Sequence, residues 1–165
     1  MIFSFKKTII ILLVFSLIPH FALAKRGKGA LILDQYTMEN VLRYMYGAGG
    51  EKVSGHASRK NDPMLMVVSE DGMTSYYYYC PREYRAYGCM NQNTKKKAMI
   101  KCEEYSNGSK CFVFAEKRKI VWKNGNKKIT IKMKDLKSPY VVAKKIQEAG
   151  FYDGDISQLT GINIQ

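Results

Sequence analysis

Histidine is almost missing from this sequence: His20 and His56 are the only two among 165 residues. Tryptophan occurs once, proline and cysteine four times each, and 14 acids face 27 Lys and Arg. So few imidazoles exclude multi-histidine metal centres and leave histidine catalysis at most two positions. No Cys-x-x-Cys occurs, which removes the thioredoxin-type dithiol and the usual zinc-ligand spacing. No glycine-rich phosphate loop of the P-loop or dinucleotide type is present. Asp153 and Asp155 begin like a calcium loop, but Gln158 and Ile164 stand where glycine and glutamate are needed. No cofactor and no metal are therefore expected. The apolar run Thr8 to Ile18 has 11 residues, against the about 20 of a spanning helix.

What is present starts with an address. Lys6 and Lys7 precede that apolar run, Pro19 and His20 break it, and Ala22-Leu23-Ala24 offers small residues at the two positions a signal peptidase reads. This order predicts a secretory signal peptide over residues 1–24, cleaved after Ala24, with a periplasmic or secreted product and no transmembrane segment left. The remainder, residues 25–165, is long enough for one domain with a substantial core. It carries 25 basic and 14 acidic residues, a charge of +11.

Cys80, Cys89, Cys102 and Cys111 all lie in that remainder, as two equally spaced pairs. In an oxidising compartment an even cysteine count reads as disulfides, here with three connectivities open. Cys80–Cys89 and Cys102–Cys111 are preferred, because each short loop holds turn formers: Pro81 and Gly88 in one, Ser106-Asn107-Gly108-Ser109 in the other.

Hydropathy patterning gives the element order. Lys25 to Gly29 reads as a frayed start and Ala30 to Leu33 as a short strand. Met38, Val41, Leu42 and Met45 recur at helical spacing behind Thr37, and Gly47 stops them. Met64 to Val68 is an apolar strand, Asp71-Gly72 a hairpin turn, and Thr74 to Cys80 a tyrosine-rich return. A second helix from Thr94 to Tyr105 follows, then strands at Cys111–Ala115, Ile120–Trp122 and Ile129–Met133. A third helix opens at Ser138-Pro139 and closes at Gly150. Hairpins joined by short links predict an α+β fold: a mainly antiparallel sheet with about three helices, stapled by two disulfides.

The run Ala98-x-x-x-Cys102-Glu103, Gly108-x-x-Cys111-Phe112-Val113-Phe114-Ala115 and Ile120-Val121-Trp122 resembles uncharacterised exported proteobacterial domains, in which a cysteine-bearing helix precedes a strand opening with a second cysteine. The resemblance covers about half of residues 25–165. It implies export, the α+β layout and the Cys102–Cys111 pairing, and carries no activity. Ile146-Gln147-x-x-Gly150-Phe151-Tyr152-Asp153-Gly154-Asp155-Ile156 is similar to the helix-and-turn core of peptidoglycan-binding repeats, but is too short for a whole module.

Two features point to binding. Tyr76, Tyr77, Tyr78 and Tyr79 place two rings on each side of a strand, one pair for the core and one for a partner such as a sugar or a protein. Tyrosine also fills half-buried strands through its β-propensity alone. Nine basic residues lie between Lys117 and Lys137 with Asp135 the one acid; Lys117, Arg118, Lys119, Lys127 and Lys128 are the candidate contacts for an anionic polymer. Lysine dominates, 21 against six arginines, and suits diffuse attraction better than forked recognition. The expected function is an exported, non-enzymatic cell-envelope module binding an anionic glycan or an envelope protein, with nucleic acid excluded by export. The alternative is an envelope enzyme or enzyme inhibitor acting through the loop around His56.

Overall fold

The computed structural model describes residues 25–47, 57, 60–87, 89, 91–125 and 129–159. Residues 1–24, read above as a signal peptide, and His56, Lys127 and Lys128 lie outside the described residues. The fold is α+β, with three helices and a five-stranded antiparallel sheet. In chain order the elements are α1 (Gln35–Tyr46), β1 (Asn61–Ser69), β2 (Ser75–Pro81), α2 (Gln92–Tyr105), β3 (Cys111–Glu116), β4 (Lys119–Ile120), β5 (Ile129–Thr130) and α3 (Pro139–Glu148). Spatial order is β2-β1-β3-β4-β5, so β2 forms one edge.

β1 explains the layering. Met64 to Val68 is fully apolar and fully buried, because helices cover both faces of the sheet. Met66 and Val68 join the larger core with α1, α3 and the C-terminal anchors Phe151, Ile156 and Leu159. Leu65 and Val67 join a smaller core with Ala98 and Cys102 of α2. The pairing of β1 with β3 shifts register between Met66 and Val67, opposite Phe114. That bulge puts Phe114 and Ala115 in the same core, and the Phe114 carbonyl accepts from both Val121 and Trp122 N–H.

Both preferred disulfides are present, with Cα–Cα separations of 5.5 Å for Cys80–Cys89 and 6.0 Å for Cys102–Cys111. Several local expectations shift. The caps are Asp34 for α1 and Asn91 for α2, each accepting from the backbone N–H three residues on, at Thr37 and Thr94. Thr37 and Thr94 carry hydroxyls able to cap a helix, but at both helices the acceptor three residues earlier takes that place. The strand after Ile129 ends at Thr130, leaving Met133 at 61% exposure.

The start of the described chain is ordered rather than frayed. Gly27 N–H donates to Val113 O at 3.2 Å and Val113 N–H to Lys25 O at 2.9 Å; Gly29 N–H donates to Lys123 O and Lys123 N–H to Gly27 O, both at 2.9 Å. Residues 25–29 make parallel bridges to β3 at Arg26–Val113 and to the segment after β4 at Lys28–Lys123. Trp122 secures them, with its indole N–H on Gly29 O at 3.0 Å and its ring against Gly27. A Cβ at Gly27 would lie 2.0 Å from Trp122 Cε3, so only glycine seats there undisturbed.

Asp135 supplies an acid-sensitive tie between the segment after β5 and α3. Its carboxylate meets Lys145 Nζ at 2.7 Å and accepts from Lys132 N–H at 2.8 Å. The Lys145 bond, against the cost of burial, holds its pKa below the ordinary carboxylate range. A carboxyl depressed on folding stabilises above its unfolded pKa, about 3.9, and that stability fades as pH falls through the folded value. Asp135→Asn is expected to lower the urea midpoint at pH 7 and to flatten its decline between about pH 4 and pH 2. An unchanged midpoint at pH 7 would show the tie contributes nothing.

Candidate binding site

The tyrosine strand lies where two helices meet the open edge. Tyr77 and Tyr79 face α1: both rings lie 6.2 Å from Tyr44, and Tyr79 O–H donates to Arg43 O at 3.0 Å. Tyr76 and Tyr78 face α2, 5.3 Å apart, and Tyr76 lies 5.9 Å from Tyr105. Both sides are therefore packed, and all four tyrosines are half-buried rather than split into a core pair and a free pair. Burial raises the Tyr76 and Tyr77 phenols above their ordinary pKa, so they stay neutral.

The edge itself is what remains open. A cleft of about 500 Å³ runs along Thr74 to Tyr77, walled by Tyr36 and Asn40 of α1 on one side and Tyr105 of α2 on the other. Tyr36 and Tyr105 are 63% and 62% exposed, while Asn40 Nδ2 reaches Ser75 Oγ at 3.3 Å. Ser69 N–H donates to Thr74 O, which marks a bonded pair at the head of the hairpin. Bonded and unbonded pairs alternate along an antiparallel ladder, and the next partners are Val68–Ser75, Val67–Tyr76 and Met66–Tyr77. The backbone groups of Ser75 and Tyr77 therefore turn away from β1 and into the cleft. β2 carries no charged side chain to blunt this edge.

Of the basic candidates, Lys117, Arg118 and Lys119 are described, and all three lie at the β3–β4 turn. Lys117 sits exposed in the β3–β4 turn at φ 53°, its carbonyl accepting from Tyr44 O–H at 2.7 Å. Arg118 is half-buried and donates through Nε to Met45 O at 2.9 Å, placing a cation at the C-terminus of α1. Lys119 is exposed on β4. The turn thus anchors α1 as well as displaying charge.

Sequence reasoning missed Tyr36, Asn40 and Tyr105 as site residues, because their proximity to Ser75 depends on both helices flanking the same edge. The uncharged composition of Ser75 to Pro81 was the signal available. Among the described residues, no three of His, Cys, Asp and Glu gather as a metal site, and no helix is long and apolar enough to cross a membrane. No family model, curated protein or solved structure matches this chain.

Proposed function

We propose that this protein is an exported, non-enzymatic binding module of the cell envelope that captures an extended segment of an envelope protein along the edge of β2. The observation that carries the reading is the uncharged edge with outward backbone groups at Ser75 and Tyr77, lying between exposed tyrosines. An added strand would take its main-chain bonds from Ser75 and Tyr77 and place alternate side chains against Tyr36 and Tyr105. Tyrosine suits such contacts, giving large rigid area with a polar tip. The leader-like residues 1–24 and the two disulfides support export.

The test begins with protein recovered outside the cytosol, expected at the mass of residues 25–165 with four oxidised cysteines. Selection of random peptides on it is expected to enrich uncharged segments with apolar side chains at alternate positions. Ser75→Pro removes one outward N–H without touching the β1 ladder, as edge prolines can. It is expected to weaken the selected peptides about tenfold or more, the scale of one or two lost hydrogen bonds left unsatisfied. Peptides binding Ser75→Pro as well as the parent would overturn the strand-addition reading. Retention of envelope glycan through Tyr36 and Tyr105, with no peptide enriched, would replace it with a sugar site.

A further inference from the structure

A second cleft, of about 820 Å³ and lined by no residue of β2, opens beside the N-terminal segment. Its cationic lining comes from three separate parts of the chain: Lys25, Arg26 and Lys28 from the start, Lys95 from α2, and Lys123 after β4. Two acids oppose them, Glu70 and Glu116, so the cleft carries a net charge of +3. Glu116 is already committed, meeting Lys95 Nζ at 2.7 Å and Arg26 at 3.1 Å. Burial pushes its carboxyl up, but those two cations outweigh the push and hold it ionised, below the usual range.

Lys25, Lys28 and Lys123 are exposed at this cleft, and their placement is fixed by main chain rather than chance. The paired bonds between Gly27, Gly29 and Lys123 hold Lys28 and Lys123 side by side as bridge partners. Like charges held adjacent repel, a cost that an anion between them would remove. The floor is aromatic. Phe112, partly buried, and Trp122 both line the cleft, the two rings edge-on at 5.9 Å, and Gly27 packs against the indole.

We propose that this cleft binds a sugar carrying a phosphate or carboxylate group, with the ring over Phe112 and the anion between Lys28 and Lys123. The volume falls in the range of small-ligand sites and accommodates one or two sugar rings. A saccharide anion can come free or as part of an envelope polymer, and the same cation–aromatic pairing would recognise either. This site is independent of the β2 edge, and either can fail without the other.

Titration of the purified protein with glucose 6-phosphate, inorganic phosphate, glucose and a short uronic-acid oligomer, in about 150 mM salt, tests it. Amide shifts are read at Lys28, Phe112 and Lys123. The sugar phosphate or the uronic oligomer is expected to bind most tightly, inorganic phosphate more weakly for want of a ring, and glucose not at all. The tighter of the first two identifies the free or the polymeric source. Lys28→Ala and Lys123→Ala, both on the surface, are each expected to weaken the best ligand about tenfold, the scale of one lost charge-assisted bond. Equal affinity for inorganic phosphate and the sugar phosphate, undiminished binding in both variants, or no binding at that salt would each overturn the site.

Discussion

Replacing Cys102 and Cys111 together by alanine is expected to lower the melting temperature by roughly 10 °C. The bridge joins the last turn of α2 to the first residue of β3, and both cysteines are essentially inaccessible at 0% and 1% exposure. Two terms add. Opening a loop of this size returns about 2–3 kcal/mol of chain entropy to the unfolded state. Removing two buried sulfurs from the small core of Leu65, Val67, Ala98 and Val113 costs about 1 kcal/mol more in lost packing. The turn between the cysteines is built to receive the bridge, with Asn107 at φ 54° and Gly108 at φ 91°. Ser106 O–H closes it on Ser109 O at 2.8 Å. Cys80→Ala with Cys89→Ala is expected to cost less, because Cys89 lies partly exposed beside a 3-10 segment rather than inside a core. Thermal unfolding of the two double variants, followed by circular dichroism, checks the ranking. The reverse order would mean the smaller core contributes little.

Gly72→Ala is expected to destabilise by about 3 kcal/mol or more, mainly through backbone that cannot yield. Gly72 has φ +76° in the β1–β2 turn, a region that costs an alanine about 1 kcal/mol. Its Cβ would also lie 2.0 Å from the carbonyl oxygen of Ile32. That contact cannot be relieved by a rotamer. The Ile32 segment is pinned on both sides by Leu31 and Leu33, each 1% exposed, and Asp34 N–H donates to Gly72 O at 3.1 Å. Either the turn or the lead into α1 must move, and both are anchored in the larger core. Gly108→Ala supplies the control: its φ is +91°, but nothing lies within 4 Å of the added carbon, so only the conformational cost of about 1 kcal/mol is expected. Urea midpoints measured side by side separate the two terms. Equal losses would show that the Ile32 contact relaxes freely.

Patterns that repeat over several residues were legible in the sequence. The helical spacing of Val41, Leu42 and Met45 was visible, as were the unbroken apolar run of β1, the Asp71-Gly72 hairpin and the Ser138-Pro139 helix start. These depend on local preference and burial, which agree here. Both cysteine pairs could be preferred from their loops for the same reason. Contacts set by tertiary placement stayed hidden. Nothing near Arg118 announces that Met45 would take its guanidinium, because the helix end and the turn are far apart in sequence. The basic start at Lys25 looked frayed for want of apolar residues. It is held by main-chain bonds and by a glycine lying on an indole, which leave no hydropathy signal. The candidate cleft divides the same way: the tyrosines of β2 were conspicuous, but Tyr36 and Tyr105 join them only once α1 and α2 are placed.

The parallel pairing of residues 25–29 has a consequence for how the molecule comes together. Arg26 reaches a partner 90 positions away, and Gly29 meets an indole 93 positions away. The earliest of these residues to be synthesised must therefore wait until Trp122 and Lys123 exist before finding their places. Closing so large a ring is entropically slow. This segment thus docks late in assembly, long after its own synthesis.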